Sequence, residues 1–173
     1  MRALLSAIIG GPETLVMDEV PDPVPSADEV LIRVKACGVN FPDTLNIEDK
    51  YQFRPSRPFS PGGEVAGVVE SVGKDVSRIR PGDRVIAWCI WGGMAEKVAA
   101  KATNCVPFPE QMPFDEASAL IMTSYWPLPR GQVSGRASEA SPQSRAVEVL
   151  PNRRRFLGRL ARDPSDRVRS ERA

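Results

Sequence analysis

The chain changes character after Trp126, and this break limits what can fold. Before it, short runs rich in Val and Ile alternate with Gly, Pro and Asp, and 7 Arg and 5 Lys stand against 17 acidic residues. After it there are 11 Arg, no Lys and 5 acidic residues. Many short strands separated by turn residues are typical of β-barrels and sandwiches. The sequence therefore predicts a mainly β domain over 1–125 and a different kind of segment over 126–173.

The predicted strands share a high content of β-branched residues and are bounded by turn residues: 3–9, 15–20, 29–36, 65–72, 84–89 and 95–99. Two helices are predicted, at 41–48 and 114–125, because proline and acidic residues stand where a helix begins. The fold class that follows is mainly β with short helices.

The segment from 127 onward shows no hydrophobic periodicity, and Phe156 is its single aromatic residue. Such a composition cannot bury enough apolar surface to offset the entropy of ordering, so we expect this tail to be largely disordered, with a short helix near 154–162 left open. Arg without Lys is also what a GC-rich gene yields when it is read out of frame. A frameshifted or truncated reading frame is the preferred interpretation of the tail. An Arg-rich nucleic-acid arm is the rival, but no reading module accompanies it, and no specific nucleic-acid role is predicted.

The sequence contains no His, which removes imidazole bases, Ser-His-Asp triads and His-containing metal sites. Its three cysteines, Cys37, Cys89 and Cys105, show neither a disulfide framework nor a CxxC metal motif and are expected to be small buried hydrophobes. No run approaches the roughly 20 apolar residues of a membrane-spanning helix. The apolar start at 1–9 lacks a signal-peptide cleavage site and predicts a first strand. These features favour a cytoplasmic protein that does not enter the membrane.

Five motifs follow one another in the first part of the chain: Ala36-Cys-Gly-Val-Asn-Phe-Pro-Asp43, Gly62-Gly-Glu-Val-Ala-Gly-Val-Val-Glu-Ser-Val-Gly73, Pro81-Gly-Asp-Arg-Val85, Gly93-Met-Ala-Glu96 and Thr123-Ser-Tyr125. In this order and spacing, the chain resembles the N-terminal, GroES-like catalytic domain of the medium-chain dehydrogenase/reductase superfamily, in its zinc-independent quinone oxidoreductase branch. The resemblance implies a GroES-like, partly open β-barrel with short helices over 1–125.

The resemblance also implies a reaction, the transfer of hydride from NADPH to a quinone or enone. In the zinc-dependent branch, a Cys and a His ligand occupy motifs equivalent to the first two. Here those positions are Asn40 and Gly63. An open catalytic zinc site needs three protein ligands, and two cannot be supplied, so no zinc is expected. The site then orients a nicotinamide against an acceptor and excludes water.

Four residues are candidates for this site by the same resemblance. Asn40 is expected beside the nicotinamide and substrate, where its amide can donate or accept without titrating, and the alternative is a turn residue. Asp43 is a catalytic candidate whose alternative role is to cap the following helix. Tyr51 is expected to donate to a quinone oxygen, or else to be an exposed loop aromatic. Thr123 is expected to approach the nicotinamide, or else to be an ordinary helical residue, whereas Glu64 is predicted to be structural.

In the family, a Rossmann domain follows these motifs and binds the cofactor pyrophosphate at a Gly-rich turn. No GxGxxG occurs in this sequence. We therefore expect the Rossmann domain to be absent from this chain, its NADPH binding to be weak and the isolated chain to be inactive. The alternative is a non-enzymatic, truncated remnant that at most binds small molecules or a partner chain.

Overall fold

Strands dominate the computed structural model, which describes residues 1–124 and 145–148. The eight strands are β1 (Arg2–Leu5), β2 (Val16–Glu19), β3 (Glu29–Val39), β4 (Glu64–Val72), β5 (Arg84–Trp88), β6 (Lys97–Lys101), β7 (Cys105–Pro107) and β8 (Arg145–Glu148). The three short helices are α1 (Phe41–Ile47), α2 (Phe114–Ala117) and α3 (Leu120–Ser124), and single 3-10 turns occur at Pro12–Thr14 and Ala102–Asn104. None of these described helices has the length and apolarity needed to cross a membrane.

Six strands form one antiparallel sheet in the order β6-β3-β4-β5-β7, with β8 added to the other half of β3. Strands β1 and β2 form a separate two-stranded sheet. The sheets do not close on themselves, and the predicted mainly β, partly open architecture is confirmed. The long strand β3 is central because β6 pairs with its first half and β8 with its last four residues.

The main core lies on one face of this sheet. Alternate residues Val30, Ile32 and Val34 of β3 point inward and pack with Val65 of β4 and Val85 of β5. Burying one such side chain stabilises the fold by roughly 1.5–3 kcal/mol. This core holds the ends of β3 and β5 in place, and the cleft described below lies at those ends.

A register shift between Val34 and Ala36 ends the strict alternation of β3. Beyond it three consecutive residues are buried, and the chain then turns at Asn40 into α1. A β-bulge bends a strand and redirects its side chains. The irregularity therefore accompanies the change of direction that brings α1 beside the start of β4.

The six predicted strands and the first predicted helix are all present, with shifted ends. Strand β1 ends at Leu5 instead of continuing to residue 9, and its next residue makes only an isolated bridge, from Ser6 to Phe59. Strands β7 and β8 were not predicted: the first is three residues long and ends in proline, and the second lies in the tail, where no strand was expected. The remainder of the tail, including the possible helix at 154–162, lies outside the described residues.

The single helix predicted over 114–125 is wrong. The structure has two short helices, α2 and α3, separated at Ser118 and Ala119. The backbone N–H groups of Ile121 and Met122 donate to the carboxylate of Glu64. In a continuous helix these groups would donate to carbonyl oxygens four residues earlier. The buried carboxylate therefore replaces those carbonyl oxygens as the acceptor.

Candidate active site

Helix α1 begins at the end of β3 with a capping interaction between two predicted site residues. The Asp43 carboxylate accepts the backbone N–H of Asn40 at 2.8 Å, and its other oxygen accepts the N–H of Gly62 at 3.2 Å. The Asp43 residue is only 5% exposed. Burial raises its pKa to about 6, against the lowering effect of the backbone donors. The structure therefore places Asp43 in the helix-capping role that the sequence offered as its alternative.

The Glu64 carboxylate is completely buried beneath this turn. Its Oε2 accepts from Nδ2 of Asn40 at 3.3 Å, and its Oε1 accepts from the N–H of Ile121 and, at 3.4 Å, from that of Met122. Burial raises the pKa of Glu64 to about 7, and the nearby charge of Asp43 adds to that increase. One acidic side chain thus connects α3 to the amide of Asn40.

A cleft that is open to solvent lies between α1, the segment that follows it, the end of β5 and α3. Its walls are mainly apolar, with a few amide, carboxyl and phenol groups: Asn40, Pro42, Asp43, Asn46, Tyr51, Phe53, Gly63, Trp88, Ile90 and Met122. Concave apolar walls with a few polar groups are typical of small-molecule sites. This arrangement suits a small, largely apolar ligand that carries a polar group.

Three of the four predicted site residues meet in this cleft: Asn40, Asp43 and Tyr51 line it. Tyr51 packs edge-to-face against Phe53, with ring centroids 5.8 Å apart. Thr123 lies in α3, one residue after Met122, which is part of the lining. The structure therefore brings Asn40, Asp43 and Tyr51 together from α1 and the loop that follows it.

Sequence reasoning missed other residues of the lining, among them Asn46, Trp88 and Ile90. Trp88 and Ile90 come from the end of β5 and the loop after it, far in sequence from α1. Asn46 carried one usable signal in the sequence, as a polar residue within the predicted helix 41–48. In the structure this residue is 3% exposed. The other two carried none, because only the pairing of β4 with β5 brings them to the cleft.

The three cysteines are free, as expected. Cys37 and Cys105 are buried, and burial raises the pKa of Cys89 and of Cys105 to about 12. No three Cys, Asp or Glu side chains in residues 1–124 are grouped to hold a metal ion. Asn40 and Gly63 offer neither a thiolate nor an imidazole, so the donors around this cleft do not fit a zinc ion.

Comparison with known proteins confirms the predicted GroES-like domain. Residues 26–110 match the family model of the alcohol dehydrogenase GroES-like domain. Over 122 residues, the chain is 42% identical to the quinone oxidoreductase of Mus musculus and 38% identical to that of Homo sapiens, which covers 69% of this chain and 37% of each relative. The crystal structure of Escherichia coli quinone oxidoreductase complexed with NADPH aligns with a TM-score of 0.67 and 31% identity, over 71% of this chain and 38% of that one. The chain thus spans less than two fifths of the length of these relatives.

Proposed function

We propose that the cleft of this chain, a relative of the quinone oxidoreductases in the medium-chain dehydrogenase/reductase superfamily, is the acceptor side of a metal-free hydride-transfer site. The premise is that residues 26–110 are an alcohol dehydrogenase GroES-like domain. The acceptor would be a small quinone or enone. The observation that carries this proposal is the meeting of the Asn40 amide and Tyr51 in one largely apolar cleft.

The chain's own residues would bind and orient the acceptor. Tyr51 has a phenolic O–H that can donate to a carbonyl oxygen. Trp88, Ile90 and Met122 provide apolar walls that contact a ring and exclude water. Asn40 holds its amide at the rim of α1, with Nδ2 fixed by Glu64. Holding two reactants in register is the main contribution that a protein makes to a hydride transfer.

NADPH, when bound, would supply the hydride, and the cleft residues suit its nicotinamide end. Asn40 would hold the nicotinamide from α1, and Thr123 would approach it from α3. Within the described part of the chain, the residues that line the cleft include no Lys or Arg. The phosphates of the cofactor would therefore need contacts beyond this cleft.

Binding of an acceptor that does not react with the chain's thiols, measured without NADPH, tests the proposal. Duroquinone is a suitable probe because its four methyl groups block addition of the chain's thiols. In NMR titrations, signals of Asn40, Tyr51 and Trp88 should shift together and saturate. Removing one neutral hydrogen bond costs about 0.5–1.5 kcal/mol, so Tyr51→Phe should weaken binding by roughly two- to tenfold. The matched control is Gln52→Ala, which alters the exposed neighbour of Tyr51.

The possible outcomes distinguish an enzyme, a non-enzymatic binding module and a chain without a binding site in this cleft. Shifts scattered over the surface, or unchanged binding in Tyr51→Phe, would contradict a site in this cleft. If the chain binds the acceptor specifically but NADPH is not oxidised even when the missing cofactor contacts are supplied, the chain is a non-enzymatic small-molecule binding module.

A further inference from the structure

The buried carboxylate of Glu64 uses both of its oxygens, each for a different purpose. Oε1 accepts backbone N–H groups of Ile121 and Met122, and Oε2 accepts the side-chain amide of Asn40. Glu64 is 0% exposed, so its oxygens are cut off from bulk water. Glu64 is therefore a joint between the amide at the rim of the cleft and the backbone of α3.

The hydrogen-bonding capacity of these groups makes the joint depend on the proton. A carboxylate only accepts, and the amide nitrogen of Asn40 only donates, so the hydrogen bond from Nδ2 to Oε2 is strong when Oε2 is unprotonated and weak when it carries a proton. Oε1 faces backbone N–H groups that cannot turn away. A proton on Glu64 would therefore reside on Oε2. The O–H donor at Oε2 and the N–H donor at Nδ2 of Asn40 would then face each other.

We propose that Glu64 is a proton-controlled positioning residue: as a carboxylate it holds the Nδ2 end of the Asn40 amide at the cleft, and protonation at Oε2 frees that end, while the capping box with Asp43 remains. The bond lost is Nδ2–H to Oε2, and the bond gained is O–H at the same oxygen. The consequence for a ligand rests on the proposed function of Asn40, whereas the switch itself is a property of the chain.

The surroundings of Glu64 place this change near neutral pH. The titratable groups that interact with it are Asp43 on α1, Cys37 on β3 and Cys89 just after β5. None of them is cationic, so they do not favour the carboxylate. The pKa of Glu64 is raised to about 7, mainly by burial, and a modest change in pH alters its protonation.

NMR of the 173-residue chain, without any ligand, tests the proposal. The side-chain carboxyl carbon of Glu64 and the Nδ2–H₂ signals of Asn40 are followed between pH 5 and pH 9. Both should titrate with the same midpoint. In Glu64→Gln the Asn40 signals should lose this dependence, because that side chain does not titrate. In Asp28→Asn, a control at a carboxyl that is 59% exposed, the common midpoint of Glu64 and Asn40 should be unchanged.

Two results would overturn the proposal: Asn40 signals that stay constant while Glu64 titrates, or the same midpoint for Asn40 in Glu64→Gln. Should Glu64→Gln fail to fold, the comparison of the two midpoints in the unmodified chain still decides. The experiment uses no NADPH and no acceptor, so a failure of the proposed function leaves its result intact.

Discussion

The carboxylate of Asp43 joins helix α1 to the glycine turn before β4 through the N–H of Gly62, at 3.2 Å. The same carboxylate accepts the N–H of Asn40 at 2.8 Å. Gly62 has a φ of +93°, and a Cβ there would meet Sγ of Cys37 at 2.6 Å, so the turn tolerates only glycine. One buried acid therefore holds together the two segments that form the base of the cleft.

Replacing Asp43 by alanine should destabilise the domain by about 2–4 kcal/mol, because two backbone donors lose their acceptor in a buried place and α1 loses its cap. Urea denaturation of the 173-residue chain measures this loss. The control is Asp28→Ala, which removes an acid that is 59% exposed and paired with Lys101, and it should cost under about 1 kcal/mol. Equal destabilisation by the two variants would refute the structural role of Asp43.

Stability should fall as pH rises from about 5 to about 8. Glu64 has a folded-state pKa near 7 against an ordinary value of 4.5, so the folded chain binds this proton more tightly than the unfolded chain does. Stability is then lost as pH rises from the unfolded pKa through the folded one, by an amount on the order of 3 kcal/mol. The raised pKa of Asp43 acts in the same direction.

Urea midpoints at pH 5 and pH 8 measure this dependence, and Glu64→Gln should make it shallower. A folded chain that is equally stable at both values, or more stable at pH 8, would show that these carboxyls are not buried as described.

The thiols of Cys37, Cys89 and Cys105 should react slowly with a disulfide reagent at pH 8 in the folded chain. Burial raises the pKa of each, so little thiolate is present. All three should react quickly once the chain is unfolded in guanidinium. Labelling of the folded chain followed by mass spectrometry checks the order of reaction. Fast modification of Cys89 under native conditions would contradict the raised pKa of its thiol.

Six of the eight described strands could be predicted because each of them depends on local composition and turn residues. Val30, Ile32 and Val34 show the buried face of β3 directly in the sequence. The interruption between α2 and α3 could not be predicted, because it depends on Glu64, more than fifty residues away. A helix predicted from neighbouring residues alone takes no account of a distant side chain that accepts hydrogen bonds from its N–H groups.

The same distinction applies to the site. Asn40 and Asp43 belong to one sequence motif, and Tyr51 follows that motif by eight residues. Trp88 was missed because it reaches the cleft only through sheet pairing. The coupling of Glu64 to Asn40 was missed for the same reason, since 24 residues separate the two.

The isolated 173-residue chain should bind NADPH with a dissociation constant above the millimolar range. Charge-assisted hydrogen bonds contribute about 1.5–3 kcal/mol each, and every 1.4 kcal/mol is about tenfold in affinity. The described residues that line the cleft supply no Lys or Arg for such bonds to the phosphates. Calorimetry measures the affinity, and ATP serves as the control for charge attraction alone. A micromolar constant that is selective over ATP and persists at high salt would contradict this prediction.

The central claim is that this chain carries the acceptor side of a hydride-transfer site, and a fusion tests it most directly. Residues 1–124 replace the matching 122-residue region of the Mus musculus quinone oxidoreductase, to which the chain is 42% identical. The measurement is kcat/KM for NADPH oxidation by duroquinone. The account predicts a measurable rate, lowered by about tenfold or more, roughly 1.4 kcal/mol, in Asn40→Ala and unchanged in Gln52→Ala. A folded fusion that binds NADPH but gives no turnover, or turns over equally well in Asn40→Ala, would contradict the account.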